Sequence, residues 1–220
     1  MRAILSVILS STCFVACAGP IDSCTEKDNA LWEGLRAYQG PVGKQDRINQ
    51  VIGQGAWGFD NPLTVAVWFG YDDIVEELIR NHELLDKYGG GALYVAASMG
   101  RLKEMSLLLD AGVSPDAEIE NGYTPIYGAA DYGCLRAIQL LIDSGASMSH
   151  RTNAGRSLLG FAVTSRQFET ARYVIKQGYI ADEVERRSVE DTLRRMGMDS
   201  MFDFIFEAEK ADPTTGSQAD

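Results

Sequence analysis

Adjacent apolar residues recur through the middle of the chain at a constant interval. Three such pairs are separated by 33 residues: Leu108-Leu109, Leu141-Ile142 and Val174-Ile175. Ile138 lies three residues before Leu141, which is the spacing of one face of an α-helix. The pattern predicts a helix from Leu135 to Asp143, with counterparts in the neighbouring units. Glycines at the same interval are expected to stop these helices: Gly112, Gly145 and Gly178.

An earlier segment of each unit repeats with the same period and predicts a further helix. These segments begin at glycines 33 residues apart: Gly89, Gly122 and Gly155. In the second segment, Thr124 can cap a helix whose first turn holds Pro125, where the missing N–H costs nothing. Pairs of small residues keep this helix thin, so that its neighbours can approach closely: Ala66-Val67, Ala96-Ala97 and Ala129-Ala130. Glycines are expected to end it in turns with positive φ: Gly70, Gly100 and Gly133.

The first unit is shorter than the others. The segment from Asn61 to Gly70 lies 30 residues before its counterpart in the next unit, and a shorter connecting loop is the expected cause. The three consecutive glycines at 89–91 are expected to form a flexible connection in that loop. A phosphate-binding loop is disfavoured there, since no lysine follows the glycines.

This pattern resembles the ankyrin repeat over residues 61–180. The segment nearest to the family signature is Gly122-Tyr123-Thr124-Pro125-Ile126-Tyr127, in which Tyr127 stands where the family usually has histidine. Ser157-Leu158 and Gly91-Ala92 replace the Thr-Pro pair in two other units. The resemblance implies an all-α solenoid of stacked helix–turn–helix units. Four repeats are expected, over residues 61–88, 89–121, 122–154 and 155–180.

Both ends of the array are expected to carry capping helices. Residues 28–60 predict an N-terminal capping helix pair. Residues 181–210 predict C-terminal capping helices, from Ser188 to Met196 and from Asp199 to Lys210, with arginines that supply polar surface. Residues 211–220 have the composition of a disordered tail.

Residues 1–16 have the features of a signal peptide, which predicts that the chain is exported from the cytoplasm. Arg2 supplies a minimal positive charge, and the apolar stretch from Ala3 to Val15 is too short to span a membrane comfortably. Two processing routes follow: cleavage after Ala18, which gives a secreted protein, or lipidation of Cys17 in the lipobox-like segment Phe14-Val15-Ala16-Cys17. The short leader favours a lipoprotein of the bacterial periplasm, anchored to an envelope membrane through a tether at residues 17–27.

The charge of the chain restricts its partners. The net charge is −11, while apolar residues make up 45% and are sufficient for a buried core. An acidic surface repels phosphate backbones, which argues against nucleic acid as a partner. It favours a basic protein partner, although acidity also serves solubility alone. Membrane contact is expected only through the lipid anchor.

No arrangement of residues typical of an active site occurs in the sequence. His82 and His150 are its two histidines, and neither belongs to a metal-binding motif. The motifs of P-loop, serine-hydrolase and zinc-protease sites are absent. We therefore predict no enzymatic activity, no cofactor and no metal.

Aromatic residues mark the candidate binding surface. In ankyrin folds the last two positions of the first helix usually face the concave groove, and the resemblance implies the same for Trp68-Phe69, Ser98-Met99, Asp131-Tyr132 and Thr164-Ser165. Positions at nearby loop tips add three more aromatic residues. The predicted partner-binding residues are Trp57, Trp68, Phe69, Tyr88, Met99, Tyr123, Asp131 and Tyr132. Alternatively, Trp57, Trp68 and Phe69 seal the junction to the N-terminal cap.

These features predict a non-catalytic protein-binding module of the bacterial envelope. Acidic ankyrin lipoproteins of bacteria are candidates for immunity proteins that neutralise a secreted toxin. The resemblance to this class of protein implies the same role here. The alternatives are a structural scaffold and an accessory subunit of an envelope enzyme or stress-response complex.

Overall fold

A computed structural model describes residues 61–210, with side chains to residue 207. In this part of the chain it contains a 3₁₀ turn, Glu120–Gly122, and ten α-helices. The helices are α1 Pro62–Phe69, α2 Asp72–Leu78, α3 His82–Ser98, α4 Leu102–Asp110, α5 Pro125–Tyr132, α6 Leu135–Asp143, α7 Leu158–Thr164, α8 Phe168–Lys176, α9 Glu183–Arg195 and α10 Ser200–Lys210. The all-α fold is confirmed, and α6 has the predicted bounds.

The helices form two rows. The first helices of the units pack in succession, α1 on α3, α3 on α5, α5 on α7 and α7 on α9. Second helices pack alongside them, α2 on α4, α4 on α6 and α8 on α10. Fully buried alanines lie where the first helices meet: Ala66, Ala96, Ala97, Ala129, Ala130 and Ala162. These small side chains let the helix backbones approach closely, as the sequence predicted.

Replacing Ala130 with leucine is expected to lower the free energy of unfolding by about 1–3 kcal/mol, because a larger side chain overpacks a closed core. Ala130 is completely buried between helices. The exposed Ala154 provides a matched control, and Ala154→Leu should have almost no effect. Urea unfolding followed by circular dichroism measures both. Equal midpoints for the wild-type and Ala130→Leu chains would contradict the assigned packing.

The turns that end the first helices have the predicted backbone conformation. Gly70, Gly100 and Gly133 have φ values of 65°, 63° and 78°. In the next unit Arg166 takes the same left-handed conformation, with φ of 60°. The turn is therefore kept even where the glycine is replaced.

The glycine run at 89–91 lies inside helix α3, so the predicted flexible loop is wrong. A Cβ atom at Gly89 would lie 2.7 Å from Cγ2 of Val113, and one at Gly90 would lie 2.8 Å from the Cβ atom of Ala117. The glycines therefore allow the chain after α4 to pack directly on α3, which offsets their poor helix propensity. The first unit is shorter because residues 79–81 alone connect α2 to α3. His82 is the first residue of α3.

The capping of helix α5 also differs from the prediction. Thr124 occupies the N-cap position, but its side chain makes no capping hydrogen bond. The Tyr127 N–H donates instead to the Thr124 carbonyl oxygen at 3.0 Å, so this donor does not need the hydroxyl group. In α7 the corresponding Ser157 does act as a cap, since its Oγ accepts from the Gly160 N–H at 3.0 Å.

Two polar loops, here called fingers, connect successive units at residues 114–124 and 147–157. Each folds back on itself, through Ile119 N–H to the Tyr123 carbonyl and Thr152 N–H to the Arg156 carbonyl. The Tyr127 hydroxyl lies 2.7 Å from the His150 carbonyl oxygen and 2.9 Å from that of Arg156, so its proton can be donated to either. Tyr127 thus attaches the second finger to helix α5.

Both predicted C-terminal helices are present, but only α10, which begins at Ser200, starts within one residue of its predicted position. Helix α9 starts at Glu183, five residues before the predicted Ser188, because the Asp182 side chain accepts a hydrogen bond from the Glu185 N–H at 2.7 Å. No helix among the described residues is long and apolar enough to cross a membrane. The predicted signal peptide, lipidation site, N-terminal capping pair and C-terminal tail lie outside these residues.

A partly buried polar cluster joins α9 to the second finger. The Tyr179 hydroxyl lies 2.9 Å from Oε2 of Glu185, and the Arg151 guanidinium lies 3.3 Å from the same oxygen. Burial, followed by the adjacent Glu185 carboxylate, raises the pKa of Tyr179 to about 12. The phenol therefore stays protonated in the folded chain at pH values where an unfolded tyrosine ionises.

Stability is expected to fall as the pH rises from about 10 to about 12, because the folded chain then binds more protons than the unfolded one. Urea midpoints at pH 9 and pH 11 measure this loss. It should be smaller in Tyr179→Phe, although burial also raises the pKa values of Tyr94 and Tyr127 and leaves part of the effect. An identical loss in the wild type and the variant would mean that Tyr179 does not contribute.

Candidate protein-binding face

Three successive first helices end in partly exposed residues on the same row. We call Trp68, Phe69, Met99, Asp131 and Tyr132 the helix-end face. Since α1 packs on α3 and α3 on α5, these positions follow one another along the stack. Trp68 is 36% exposed, which makes it one of the most exposed large apolar side chains among the described residues. Partly exposed large side chains at repeated positions are typical of a contact surface.

Two aromatic residues of the face, Phe69 and Tyr132, are held by packing beneath them. Phe69 is half-buried and stacks on Tyr71, with ring centroids 5.7 Å apart. The Tyr132 ring lies over Gly100, where an added Cβ atom would be 2.9 Å from Cε1 of the tyrosine. The glycine that ends helix α3 therefore also leaves space for a ring from the next unit, beside half-buried Met99.

Asp131 places a negative charge on the helix-end face. Its side chain is exposed, and its Oδ1 accepts a hydrogen bond from the Ser165 hydroxyl at 2.9 Å. Its backbone carbonyl accepts from Nε2 of Gln167 at 3.1 Å. Within residues 61–210 it forms no ion pair with lysine or arginine. The carboxylate is thus oriented by one neutral donor and can accept further hydrogen bonds from an incoming cation.

Tyr94 belongs to this surface although the sequence analysis missed it. It is half-buried on α3, and its pKa is raised first by burial and then by the negative charge of Asp131 and by Tyr123. A Cβ atom at Gly128 would lie 3.0 Å from the Tyr94 carbonyl oxygen, which shows how closely α5 approaches α3. The available signal was its position one helical turn before Ser98.

The remaining predicted residues have other surroundings. Tyr123 lies at the base of the first finger and packs edge-on against Tyr127 and Phe161, at 5.6 Å and 5.8 Å. Tyr88 was predicted at a loop tip, but it lies inside α3, where Lys87 sits 5.0 Å from its ring centroid. It is 11 residues before Met99, or roughly 16 Å along a helix, so the structure does not bring it to the helix-end face. Trp57 lies outside the described residues.

The helix-end face offers apolar contacts and one negative charge. Among residues 61–210 no three His, Cys, Asp or Glu side chains are grouped to hold a metal ion. His150 is engaged in the fold, with Nε2 2.9 Å from the Gly122 carbonyl oxygen. Two rows of helices joined by fingers, with apolar groups at repeated first-helix ends, define a helical repeat protein.

The particular family follows from a comparison with known families. Residues 63–152 match the model described as ankyrin repeats, three copies, and this part of the chain belongs to the ankyrin-repeat family. Ankyrin repeats are generally protein–protein interaction modules and are typically non-catalytic. Helices α7 and α8 continue the same helix pairing beyond the matched residues. A comparison with curated proteins found no match.

Proposed function

We propose that the chain binds a protein partner through the helix-end face. The observation that carries this proposal is the succession of partly exposed Trp68, Met99 and Tyr132 on three neighbouring units, beside the exposed carboxylate of Asp131. Large side chains that are supported from below lose little conformational entropy on binding. Such residues supply most of the affinity in protein interfaces.

The expected partner is a basic protein. Asp131 is exposed without a basic partner among the described residues, and the whole chain carries a net charge of −11. Complementary charge accelerates association and orients the encounter. Tyr94 and Tyr132 add ring faces that attract lysine or arginine side chains.

Affinity capture tests the proposal. The full chain would be used as bait against periplasmic extract, beside a Trp68→Ala, Tyr132→Ala double variant and an Arg136→Ala control on the exposed side of α6. The proposal requires a protein that the wild type and the control retain and the double variant loses. If the double variant is folded and retains every captured protein, the face is not the binding surface.

The leader extends the proposal to the compartment and role. We propose a periplasmic lipoprotein that acts as an immunity protein against a secreted toxin, because an anchored acidic binder is suited to capturing a basic protein as it enters the envelope. A captured partner would be expressed in the periplasm and should inhibit growth. The wild-type chain should relieve this inhibition, and the double variant should not. A captured partner that is harmless would contradict the immunity role without affecting the binding face.

Labelled palmitate should be incorporated into the wild-type chain and not into a Cys17→Ser variant. The reason is that only the Cys17 thiol of the lipobox-like segment Phe14-Val15-Ala16-Cys17 would become the lipidated first residue. Gel fluorography of cells grown with the label measures the difference. Equal labelling of both chains, or labelling of neither, would contradict lipidation at Cys17.

A further inference from the structure

A groove lies between the second finger and α9, where the connection between successive units changes from a finger to a short direct link. Residues 147–157 form a finger before α7, whereas residues 177–182 lead directly into helix α9 without one. Helix α9 therefore begins beside the second finger and leaves an open space of about 490 Å³ between them. The finger, helix α7 and helix α9 line this space, which is large enough to accept a few side chains of a partner.

The charged groups that face the groove differ in their pairing. Arg151 and Glu185 form an ion pair at 3.3 Å, and the Tyr179 hydroxyl also bonds to Glu185. Asp182 accepts the capping hydrogen bond from the Glu185 N–H. Arg156 is exposed, and within the described part of the chain its guanidinium has neither an ion pair nor a hydrogen bond. The cation left for a ligand is therefore Arg156.

The Arg156 guanidinium is positioned by an aromatic ring. It lies 5.7 Å from the centroid of Phe161, which packs edge-on against Tyr123 and Tyr127. A guanidinium held over a ring keeps its N–H donors at its edge, directed away from the ring face. Such a group is suited to paired hydrogen bonds with a carboxylate.

The α9 side of the groove presents one exposed apolar side chain among polar ones. Val184, on the first turn of α9, is 77% exposed and lines the groove together with the buried Val163 and Val189. Ile180 is 85% exposed nearby in the chain but does not line the groove. The acids Asp182 and Glu183 at the start of α9 disfavour a carboxylate on that side, whereas Val184 favours an aliphatic group.

We infer that this groove is a second binding site, for an extended segment of a partner protein that carries an acidic side chain next to an aliphatic one. The carboxylate pairs with Arg156, and the aliphatic side chain packs on Val184. This site is separate from the helix-end face. The inference would therefore stand even if partner binding through the helix-end face were disproved. Charge complementarity at Arg156, in a groove whose other charges are already engaged, selects the acidic segment over a basic one.

Three short peptides serve as probes: acetyl-Gly-Glu-Leu-Gly-amide and its Gln and Lys counterparts at the acidic position. Each is titrated into the ¹⁵N-labelled full chain and followed by two-dimensional NMR. The Glu peptide should shift the amide signals of Gly155, Gly160 and Ser188, with affinity at least about fivefold above the Gln peptide. The Lys peptide should bind more weakly than both. Equal affinity for the three peptides, or shifts elsewhere in the chain alone, would overturn the inference.

Two variants with matched controls locate the contacts. Arg156→Gln should lower the affinity for the Glu peptide about tenfold and remove the preference for Glu over Gln. Arg136→Gln on α6 should change neither the affinity nor the preference. Val184→Ser should weaken all peptides several-fold, and Ile180→Ser should not. All four positions are exposed, so the variants are expected to fold. If Arg156→Gln left the preference for Glu unchanged, the carboxylate would bind elsewhere.

Discussion

Replacement of Arg101 by alanine is expected to reduce the free energy of unfolding by about 3–5 kcal/mol. Arg101 and Glu104 are only 8% and 4% exposed, and they form an ion pair at 3.4 Å. Removal of the guanidinium leaves the Glu104 carboxylate buried without its countercharge. It also removes the hydrogen bond from Nη2 to the Trp68 carbonyl oxygen, which is 2.9 Å long. The residue therefore supports both the junction of the first two units and one end of the helix-end face.

The stability lost in Arg101→Ala should depend on pH. Burial already raises the pKa of Glu104, and loss of Arg101 would raise it further. An acid with a raised pKa in the folded state makes stability fall as pH rises above the unfolded value of about 4.3. Urea unfolding of Arg101→Ala should accordingly show a larger loss at pH 8 than at pH 5. A loss below about 1 kcal/mol at both pH values would show that the pair is not closed to water.

The variant in which methionine replaces both Arg101 and Glu104 is the informative companion. Replacement of a buried ion pair by apolar side chains of similar volume is often neutral or stabilising. The double variant should therefore recover most of the stability that Arg101→Ala loses. Failure to recover would instead assign the loss to the hydrogen bond with Trp68, which neither methionine can replace.

The second large effect is expected on partner affinity. Met99→Ala and Tyr132→Ala should each weaken binding about tenfold, and their combination about a hundredfold, because anchors near the centre of an interface dominate its energy. Both residues are half-buried at the ends of neighbouring first helices. Surface plasmon resonance with the captured partner measures the loss, and the melting midpoint shows that the fold is intact.

Asp131→Lys should act differently from the apolar variants. It reverses the exposed charge of the face, so it should mainly slow association and reduce the salt dependence of that rate. Glu76→Lys on helix α2 reverses an exposed charge on the row of second helices and should change binding little. Binding that survives the helix-end variants but fails with Glu76→Lys would place the contact surface on the second helices.

Much of the fold could be predicted because the sequence repeats its own local signals. The bounds of α6 follow from apolar residues at helical spacing and from Gly145 after them. The left-handed turns at Gly70, Gly100 and Gly133 follow from a requirement that few other residues meet without cost. The 33-residue period then predicts that each unit is one helix pair, and the buried alanines predict how closely the pairs stack.

The tertiary structure decided what depends on contacts between distant residues. Residues 89–91 are helical because Val113 and Ala117 pack against them, and no local propensity of a glycine run indicates this. Tyr94 lies beside the helix-end face because Gly128 brings α5 close to α3. Arg101 donates a hydrogen bond to the carbonyl oxygen of Trp68 in that face, 33 positions away. The sequence by itself determined most of the helices, the ends that glycines mark and the order of the units, because those depend on neighbours along the chain. Side-chain surroundings, ion pairs and the groove beside α9 depend on how the units meet in space, so they became visible only in the assembled array.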